Sequence, residues 1–193
     1  MPIFDHFGWI APFYDRIFQH GDRSWLFELL KLPAEGKLLD AGGGTGRIAQ
    51  LLSDKIDQVV VADLSLEMLQ QASLKDGLIA VCSHSEFFPF SDDNFDRILM
   101  VDALHHVCDQ VETTQELWRV LKPGGRLVIE EPDLRTFGVK LLAVGEKLLG
   151  MRSRFLKPES IAALFSDPKA KVRIEKNDDN FNAWVVVDKP AEK

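Results

Sequence analysis

Four glycines stand in five positions directly after an apolar stretch, in the sequence LLDAGGGTGR at residues 38–47. Gly42, Gly44 and Gly46 follow Asp40 in the pattern DxGxGxG. Because glycine has no Cβ, a backbone of this composition can turn tightly and approach a bound molecule closely. Such turns after a strand are typical of nucleotide-binding sites, although a plain tight turn is the simpler alternative.

Two phosphate-binding patterns do not fit this turn. A dinucleotide-binding turn has the pattern GxGxxG, and its third glycine would fall on Arg47. A P-loop has a lysine directly after its last glycine, whereas Arg47 follows Gly46. Each phosphate interpretation therefore fails at a specific residue.

A second acidic residue, Asp63, ends the next apolar run, QVVVAD at residues 58–63. A carboxylate there can accept hydrogen bonds from both hydroxyls of a ribose, and each such bond is worth about 1.5 to 3 kcal/mol. Similar spacing serves NAD in dinucleotide-binding folds, so Asp63 indicates a nucleoside without selecting one. A role as a helix cap or turn residue is the alternative.

Two adjacent histidines, His105 and His106, follow a later apolar run. Imidazole is the side chain most often used for proton transfer near neutral pH. One histidine can accept a proton while the other packs or holds a backbone carbonyl, and a purely structural role is the alternative for both. No third ligand stands at a suggestive spacing, so we expect no metal site.

Polar residues also follow the last of the central apolar runs, at Glu130, Glu131 and Asp133. These carboxylates can attract a cationic molecule, but a solvated turn explains them more simply, and we expect the turn.

Short apolar runs of strand length alternate with segments of helical period. Continuous apolarity within a run favours strands that are covered on both faces, as in a parallel sheet. The predicted strands are residues 37–41, 58–63, 78–83, 95–101, 126–131, 171–176 and 182–188. The predicted helices are residues 46–54, a helix capped by Ser65, residues 111–121, which the sequence KPGG at 122–125 ends, and residues 158–166.

This order predicts a doubly wound, Rossmann-like α/β fold. Its seven-stranded sheet is mostly parallel, carries helices on both faces, and ends in an antiparallel hairpin, because the tight-turn sequence NDDN joins the last two strands.

Length and composition bound the remaining possibilities. A chain of 193 residues with 46% hydrophobic and 27% charged residues predicts one globular domain spanning residues 1–193. The net charge of -7 disfavours nucleic acid as a partner. We see no secretory signal and no apolar segment of about 20 residues, so we expect a cytoplasmic protein without an integral membrane segment. Cys82 and Cys108 are expected to be buried free thiols.

The glycine turn with its acidic residue resembles motif I of the class I S-adenosylmethionine-dependent methyltransferases. Further segments, in the same order, resemble the ubiquinone/menaquinone biosynthesis methyltransferases and their type 11 relatives. These segments are FGWIAPFYDRIF (7–18), DLSLEML (63–69), SEFFPFSDDNFD (85–96), ALHHV (103–107) and RVLKPGGRLVI (119–129).

The resemblance implies S-adenosyl-L-methionine as cofactor, S-adenosyl-L-homocysteine as product, and methyl transfer by direct displacement. The cofactor-binding positions that it implies are Asp40, Gly42, Gly44, Gly46, Asp63, Leu64, His84, Ser85 and Val101. One position departs from the pattern, since relatives usually carry an aspartate for the adenine amino group where this chain has His84. A neutral imidazole nitrogen can still accept that bond, while a remodelled adenine pocket is the alternative.

The resemblance also places residues 1–36 as a helical segment over the acceptor site, with Tyr14 as a third catalytic candidate beside His105 and His106. Residues 134–157 form a short insert, and its apolar part, 137–150, is interpreted as a lid or as a surface for a lipid-like substrate.

The acceptor is expected to be a small molecule, because motifs typical of nucleic-acid amino-methylation and cytosine-C5 methylation are missing. A quinol-like or phenolic acceptor, methylated at carbon or oxygen, follows from the resemblance alone. The alternative function is a non-catalytic module of the same fold that binds S-adenosylmethionine or a nucleoside. The sequence leaves the oligomeric state open.

Overall fold

The computed structural model describes residues 23, 25–136, 139, 153–176 and 181–191. Seven strands form a single sheet: β1 (Lys37–Ala41), β2 (Gln58–Asp63), β3 (Leu78–Cys82), β4 (Phe95–Val101), β5 (Leu121–Pro132), β6 (Lys171–Lys176) and β7 (Asn182–Asp188). Their spatial order is β3-β2-β1-β4-β5-β7-β6. Strands β1 to β5 run parallel, and β7 lies antiparallel between β5 and β6. The predicted fold, a mostly parallel seven-stranded sheet that ends in an antiparallel hairpin, is confirmed.

The described helices are α1 (Trp25–Leu30), α2 (Arg47–Leu52), α3 (Leu66–Ala72), α4 (Gln110–Val120), α5 (Pro158–Leu164) and a 3-10 helix at Leu104–His106. Polar caps fix where two of them begin. Ser65 accepts a hydrogen bond from the Met68 N–H at the start of α3, and Asp109 accepts from the Val111 and Glu112 N–H groups at the start of α4. Both caps satisfy amides that the first helical turn leaves without a partner.

Each face of the sheet buries its own apolar cluster, because successive side chains of a strand point to opposite faces. Leu38, Val61 and Leu99 face the side on which α1, α2 and α3 pack. Leu39, Ile98 and Ile129 face the side of α4 and α5. The sheet is thus covered on both faces, and the carboxyl ends of β1, β2, β4 and β5 meet along one edge, where ligands bind in open α/β folds.

The helix that precedes KPGG ends at Val120, within one residue of the prediction, but β5 is longer than predicted, since it begins at Leu121 and includes KPGG. Two further sequence predictions are wrong. The predicted solvated turn is absent at Glu130, Glu131 and Asp133, which are all buried. The two glutamates belong to β5 and pair with β7, and Asp133 directly follows the end of β5. Both cysteines are exposed instead of buried, since Cys82 lies on a sheet edge and Cys108 on the loop before α4.

Within the described part of the chain, we find no helix that is long and apolar enough to cross a membrane. The turn sequence 177–180 lies outside the described residues, as do most of the N-terminal segment 1–36 and most of the insert 134–157.

Candidate functional site

The glycine turn between β1 and α2 forms one wall of the site. Gly42, Gly44 and Gly46 all have positive φ angles, of 69°, 55° and 69°, which side chains with a Cβ rarely adopt. A Cβ added to Gly42 would lie 2.6 Å from the Ala103 Cβ, so the turn packs tightly against the segment after β4. A Cβ on Gly44 would meet no atom closer than 3.9 Å. The open side of the turn is therefore at Gly44.

Asp40 lies beneath this turn. Only 2% of the residue is exposed, and a Cβ on Gly43 would come within 2.6 Å of its carboxylate. Burial, followed by the negative charge of Asp63, raises the pKa of Asp40 to about 7, while the Ala49 N–H and Arg47 act in the opposite direction. Its Oδ2 has no hydrogen-bond partner among the described residues. When Asp40 is ionised, its negative charge therefore lies under the turn, close to that of Asp63.

Asp63 ends β2 beside Gly44. Its Oδ2 accepts a hydrogen bond of 2.8 Å from the Gly44 N–H, and its Oδ1 accepts one of 2.8 Å from the Ser65 N–H. These bonds fix the carboxylate at the open side of the turn. The next residue, Leu64, exposes its apolar side chain. A carboxylate next to an exposed apolar surface suits a ribose joined to a flat base.

His84 and Ser85 follow β3 at the same edge of the sheet. The His84 side chain is 56% exposed, and its Nδ1 lies 3.8 Å from the Glu86 Oε2. Glu86 is buried and accepts hydrogen bonds from the Cys108 and Asp109 N–H groups through Oε1. Glu86 therefore attaches the segment that carries His84 to the segment that follows the two histidines.

His105 is buried and held by β5. Its Nδ1 lies 2.6 Å from the Glu131 Oε2, and the other oxygen of Glu131 accepts the Leu104 N–H at 2.8 Å. With a carboxylate as acceptor, the ring carries its proton on Nδ1. The ring also stacks on Phe155, with 4.2 Å between ring centroids. Glu131 and Phe155 thus fix both the orientation and the tautomer of His105.

His106 lies against His105, with 3.9 Å between the two ring centroids. Its side chain is partly exposed, and its Nδ1 lies 3.3 Å from the Ser153 Oγ. Burial and the neighbouring His105 lower the pKa of His106 to about 3. The imidazole of His106 is therefore neutral at physiological pH, so it can exchange hydrogen bonds but is a weak base.

Asp102 is a further candidate that the sequence did not single out. It follows β4 directly, has a positive φ of 51°, and is exposed to solvent. Desolvation and the carboxylates of Glu130 and Glu131 raise the pKa of Asp102 to about 7. Asp102 as a whole residue is exposed, yet the surrounding protein atoms desolvate its carboxyl group enough to raise the pKa. The available signal was its place directly after strand β4, in the sequence VDALHH.

Glu130 is held on the opposite face of β5 from Glu131. Arg23 Nη1 donates to both of its oxygens at 2.9 Å, and Asn182 Nδ2 donates to Oε1. The rings of Trp25 and Trp184 pack beside this group, with centroids 4.3 Å apart. These contacts attach the residues just before α1 to the carboxyl end of β5.

The structure brings most of the predicted site residues to one edge of the sheet. Val101 ends β4 between the glycine turn and β5, where it pairs in register with Glu130. Two groups result, which we name after the roles proposed for them below. The cofactor half is formed by the glycine turn and the segments after β2 and β3, and the acceptor half is formed by Asp102, His105, His106, Glu130 and Glu131. The close packing of Gly42 on Ala103 joins them. Tyr14 lies outside the described residues.

Comparison with known proteins places this chain in a family. Residues 39–129 match the family model described as a methyltransferase domain, of type 11. The ubiquinone/menaquinone biosynthesis C-methyltransferase UbiE of Geotalea daltonii is 34% identical over 149 residues, which cover 67% of this chain and 62% of that protein. The methyltransferase GfsG of Streptomyces halstedii is 33% identical over 142 residues, covering 67% of this chain and 51% of that protein.

The chain thus spans about half to three fifths of the length of these two relatives. Solved structures support the fold. A chain from the complex between the Haloferax volcanii Trm112 methyltransferase activator and a methyltransferase superposes with a TM-score of 0.79 at 21% identity, covering 97% of this chain and 99% of the other. The matched segment, 39–129, contains the glycine turn, Asp63 and both histidines. The chain carries a class I, type 11 methyltransferase domain of the S-adenosylmethionine-dependent family.

Proposed function

We propose that this chain transfers a methyl group from S-adenosylmethionine to a small-molecule acceptor. The observation that carries the proposal is the contact between the two halves of the site. A glycine turn whose open side has Asp63 beside it packs through Gly42 against the segment after β4 that carries Asp102 and His106. The first half suits a nucleoside joined to an amino acid, and the second suits a proton-bearing nucleophile.

The cofactor half fits S-adenosylmethionine in three respects. Asp63 presents a fixed carboxylate, the kind of acceptor that ribose hydroxyls bind, and Leu64 offers an apolar contact for adenine. Gly44 leaves open space where the backbone has to approach the ligand. The buried, partnerless Oδ2 of Asp40 favours a positive charge near the turn, such as the amino group of the methionine part.

The amide of Ser85 and the imidazole of His84 are assigned to the adenine ring and its amino group. Val101 is assigned to the boundary between donor and acceptor. It ends β4, and this strand lies between β1, which leads into the glycine turn, and β5.

In the acceptor half, Asp102 is the group that can remove a proton. S-adenosylmethionine supplies an activated methyl group when bound, so the protein has mainly to align the two molecules and exclude water, which is worth up to roughly 7 to 11 kcal/mol. An acceptor hydroxyl also loses a proton, and a base with a pKa near the working pH speeds that loss best. Asp102, with a pKa of about 7, fits this task better than His106, with a pKa of about 3.

The neutral ring of His106 can orient the acceptor through a hydrogen bond. His105 and Glu131 act through His106 by packing and are positioning residues, since His105 is only 4% exposed. The acceptor class we favour is a phenol or quinol methylated at oxygen or carbon, supported by the name of the Geotalea relative, and the net charge of -7 argues against nucleic acid.

The test begins with calorimetric titration of the purified chain with S-adenosylmethionine and S-adenosylhomocysteine. Release of S-adenosylhomocysteine is then measured with a panel of quinols, phenols and amines. Binding with turnover of at least one phenolic acceptor is the expected result. No binding of either cofactor form would overturn the proposal.

A second candidate function, a binding module without turnover, is favoured by one observation. The position that carries an aspartate in relatives holds His84, whose side chain is largely exposed and lies beside Glu86. The same experiment separates the two, because a module would bind the cofactor and release no product with any acceptor of the panel.

A further inference from the structure

The two edges of the sheet differ in a way that the site does not explain. Edge strand β6 has the sequence KVRIEK, in which four of six residues are charged. The opposite edge strand, β3, has the sequence LIAVC and carries no charge and no proline. Charged residues and prolines on an edge strand prevent pairing with another chain. In the part of the chain that the structure describes, β3 pairs only with β2 and lacks this protection.

Exposed apolar side chains are frequent in β3 and in the segments that connect it to its neighbours in the chain. Among the described residues, seven large hydrophobic residues are exposed, and five of them lie in these segments: Leu64, Leu66, Leu74, Ile79 and Phe87. The connection from β3 to β4, residues 83–94, contains no helix, so no crossover helix covers the face of β3 to which Ile79 points. A concentrated apolar surface of this kind marks a site of protein interaction.

The backbone of β3 is oriented for pairing on its free side. The Ser83 N–H donates to the Asp63 O in β2, and backbone groups alternate in direction along a strand. Val81 and Ile79 therefore also point their backbone groups at β2. Leu78, Ala80 and Cys82 point theirs away from the sheet, where another strand can bond to them.

The sequence of β3 is complementary to itself in the antiparallel direction. A twofold axis at Ala80 places Ala80 opposite its copy and Leu78 opposite Cys82, and these residues all have outward backbone groups that can bond in pairs. The same register places Ile79 opposite Val81, which gives two β-branched pairs on one face. It also places the exposed Asp76 carboxylate opposite the exposed His84 imidazole, with no like charges facing each other.

We propose that β3 pairs with β3 of a second copy of this chain, antiparallel and centred on Ala80, to form one continuous sheet. Five residues a side make a small interface, so the dimer is weak and forms at high protein concentration.

Sedimentation equilibrium over micromolar to millimolar concentrations tests the proposal with the full chain. The wild type is expected to show a monomer–dimer equilibrium. Ile79→Lys should weaken dimerisation by about tenfold or more, because it removes both β-branched pairs and adds charge. Val111→Lys is the matched control, since Val111 is exposed to a similar extent, 48% against 44% for Ile79, but lies on α4. A monomer at every concentration, or equal effects of the two variants, would overturn the proposal.

A crosslinking variant tests the register independently of Ile79. Opposite residues in a hydrogen-bonded antiparallel pair have Cα atoms about 5.5 Å apart, within the range that a disulfide spans. In a Cys108→Ser background, Leu78→Cys should form a covalent dimer with Cys82 of the second copy on mild oxidation. Ile79→Cys in the same background should not crosslink with Cys82, because the two side chains point to opposite faces. Equal crosslinking of both variants would rule out the register.

Discussion

The cofactor half and the acceptor half of the site differ in how the chain builds them. The cofactor half consists of short segments at the ends of β1, β2 and β3, and each is recognisable by its local sequence. The acceptor half depends on contacts between distant parts of the chain: Glu131 on β5 holds Leu104 and His105, and Arg23 before α1 holds Glu130. Under the proposed function, donor binding thus depends on local motifs, and handling of the acceptor depends on tertiary packing.

Two carboxylates show the same contrast in their electrostatics. Asp40 and Asp102 both have a pKa raised to about 7, in each case by desolvation first and by a neighbouring carboxylate second. Asp40 lies buried under the glycine turn, whereas Asp102 is exposed directly after β4. Under the proposed function, a cationic group of the ligand would relieve the repulsion between Asp40 and Asp63, and Asp102 would accept a proton.

The largest expected effect is that of Asp102→Asn on turnover. Removal of the proposed base should lower kcat with a phenolic acceptor by roughly 10² to 10⁴-fold, while cofactor affinity stays unchanged. In the wild type, kcat should rise with pH through about 7, since Asp102 acts in its ionised form, and the variant should lose this rise. The measurement is a pH–rate profile, with Glu112→Gln on the surface of α4 as control. An unchanged profile in the variant would remove Asp102 from the reaction.

Asp40→Asn should change the pH dependence of stability. Because the folded pKa of about 7 lies above the unfolded value of 3.8, the folded state binds the extra proton between these values. This contribution to stability is present below about pH 4 and is lost as pH rises to about 7. Relative to the wild type, the variant should gain about 2 to 4 kcal/mol of unfolding free energy between pH 4.5 and pH 8. Urea unfolding at the two pH values measures it, and a constant difference would contradict the assignment.

The smallest effect is expected for His84→Ala, which tests whether this side chain contributes to cofactor affinity. Loss of one hydrogen bond to the adenine amino group costs about 1 kcal/mol, so affinity for S-adenosylhomocysteine should fall about fivefold. Phe87→Ala, in the same loop, is the control for altered loop packing. If His84→Ala binds as tightly as the wild type, the adenine is recognised without His84.

The residues assigned to the cofactor half could be selected from the sequence because their signals are local, and their binding roles stay predictions. Gly44 needs a positive φ, and Asp63 follows a strand that its apolar residues identify. The mostly parallel sheet followed from the alternation of strands and helices, and the antiparallel pair at its end followed from the turn sequence between the last two strands. Each of these inferences uses residues that are neighbours in the chain.

The errors concern residues whose surroundings are set by distant segments. The sequence predicts a solvated turn at Glu131, but the residue is buried because it belongs to β5, where its carboxylate contacts Leu104 and His105. Asp102 was overlooked because its raised pKa arises from carboxylates on β5, which the register of β4 with β5 brings near. Cys82 was predicted to be buried from its apolar neighbours, but it lies on the outermost strand of the sheet.

The most direct test of the division into two halves is calorimetric titration of S-adenosylmethionine into the wild type, Asp63→Ala and Asp102→Asn. Loss of the ribose contacts should weaken binding by an order of magnitude or more in Asp63→Ala. Asp102→Asn should bind the cofactor as the wild type does, since its carboxylate serves the acceptor. Equal weakening in both variants, or wild-type affinity in Asp63→Ala, would contradict the account.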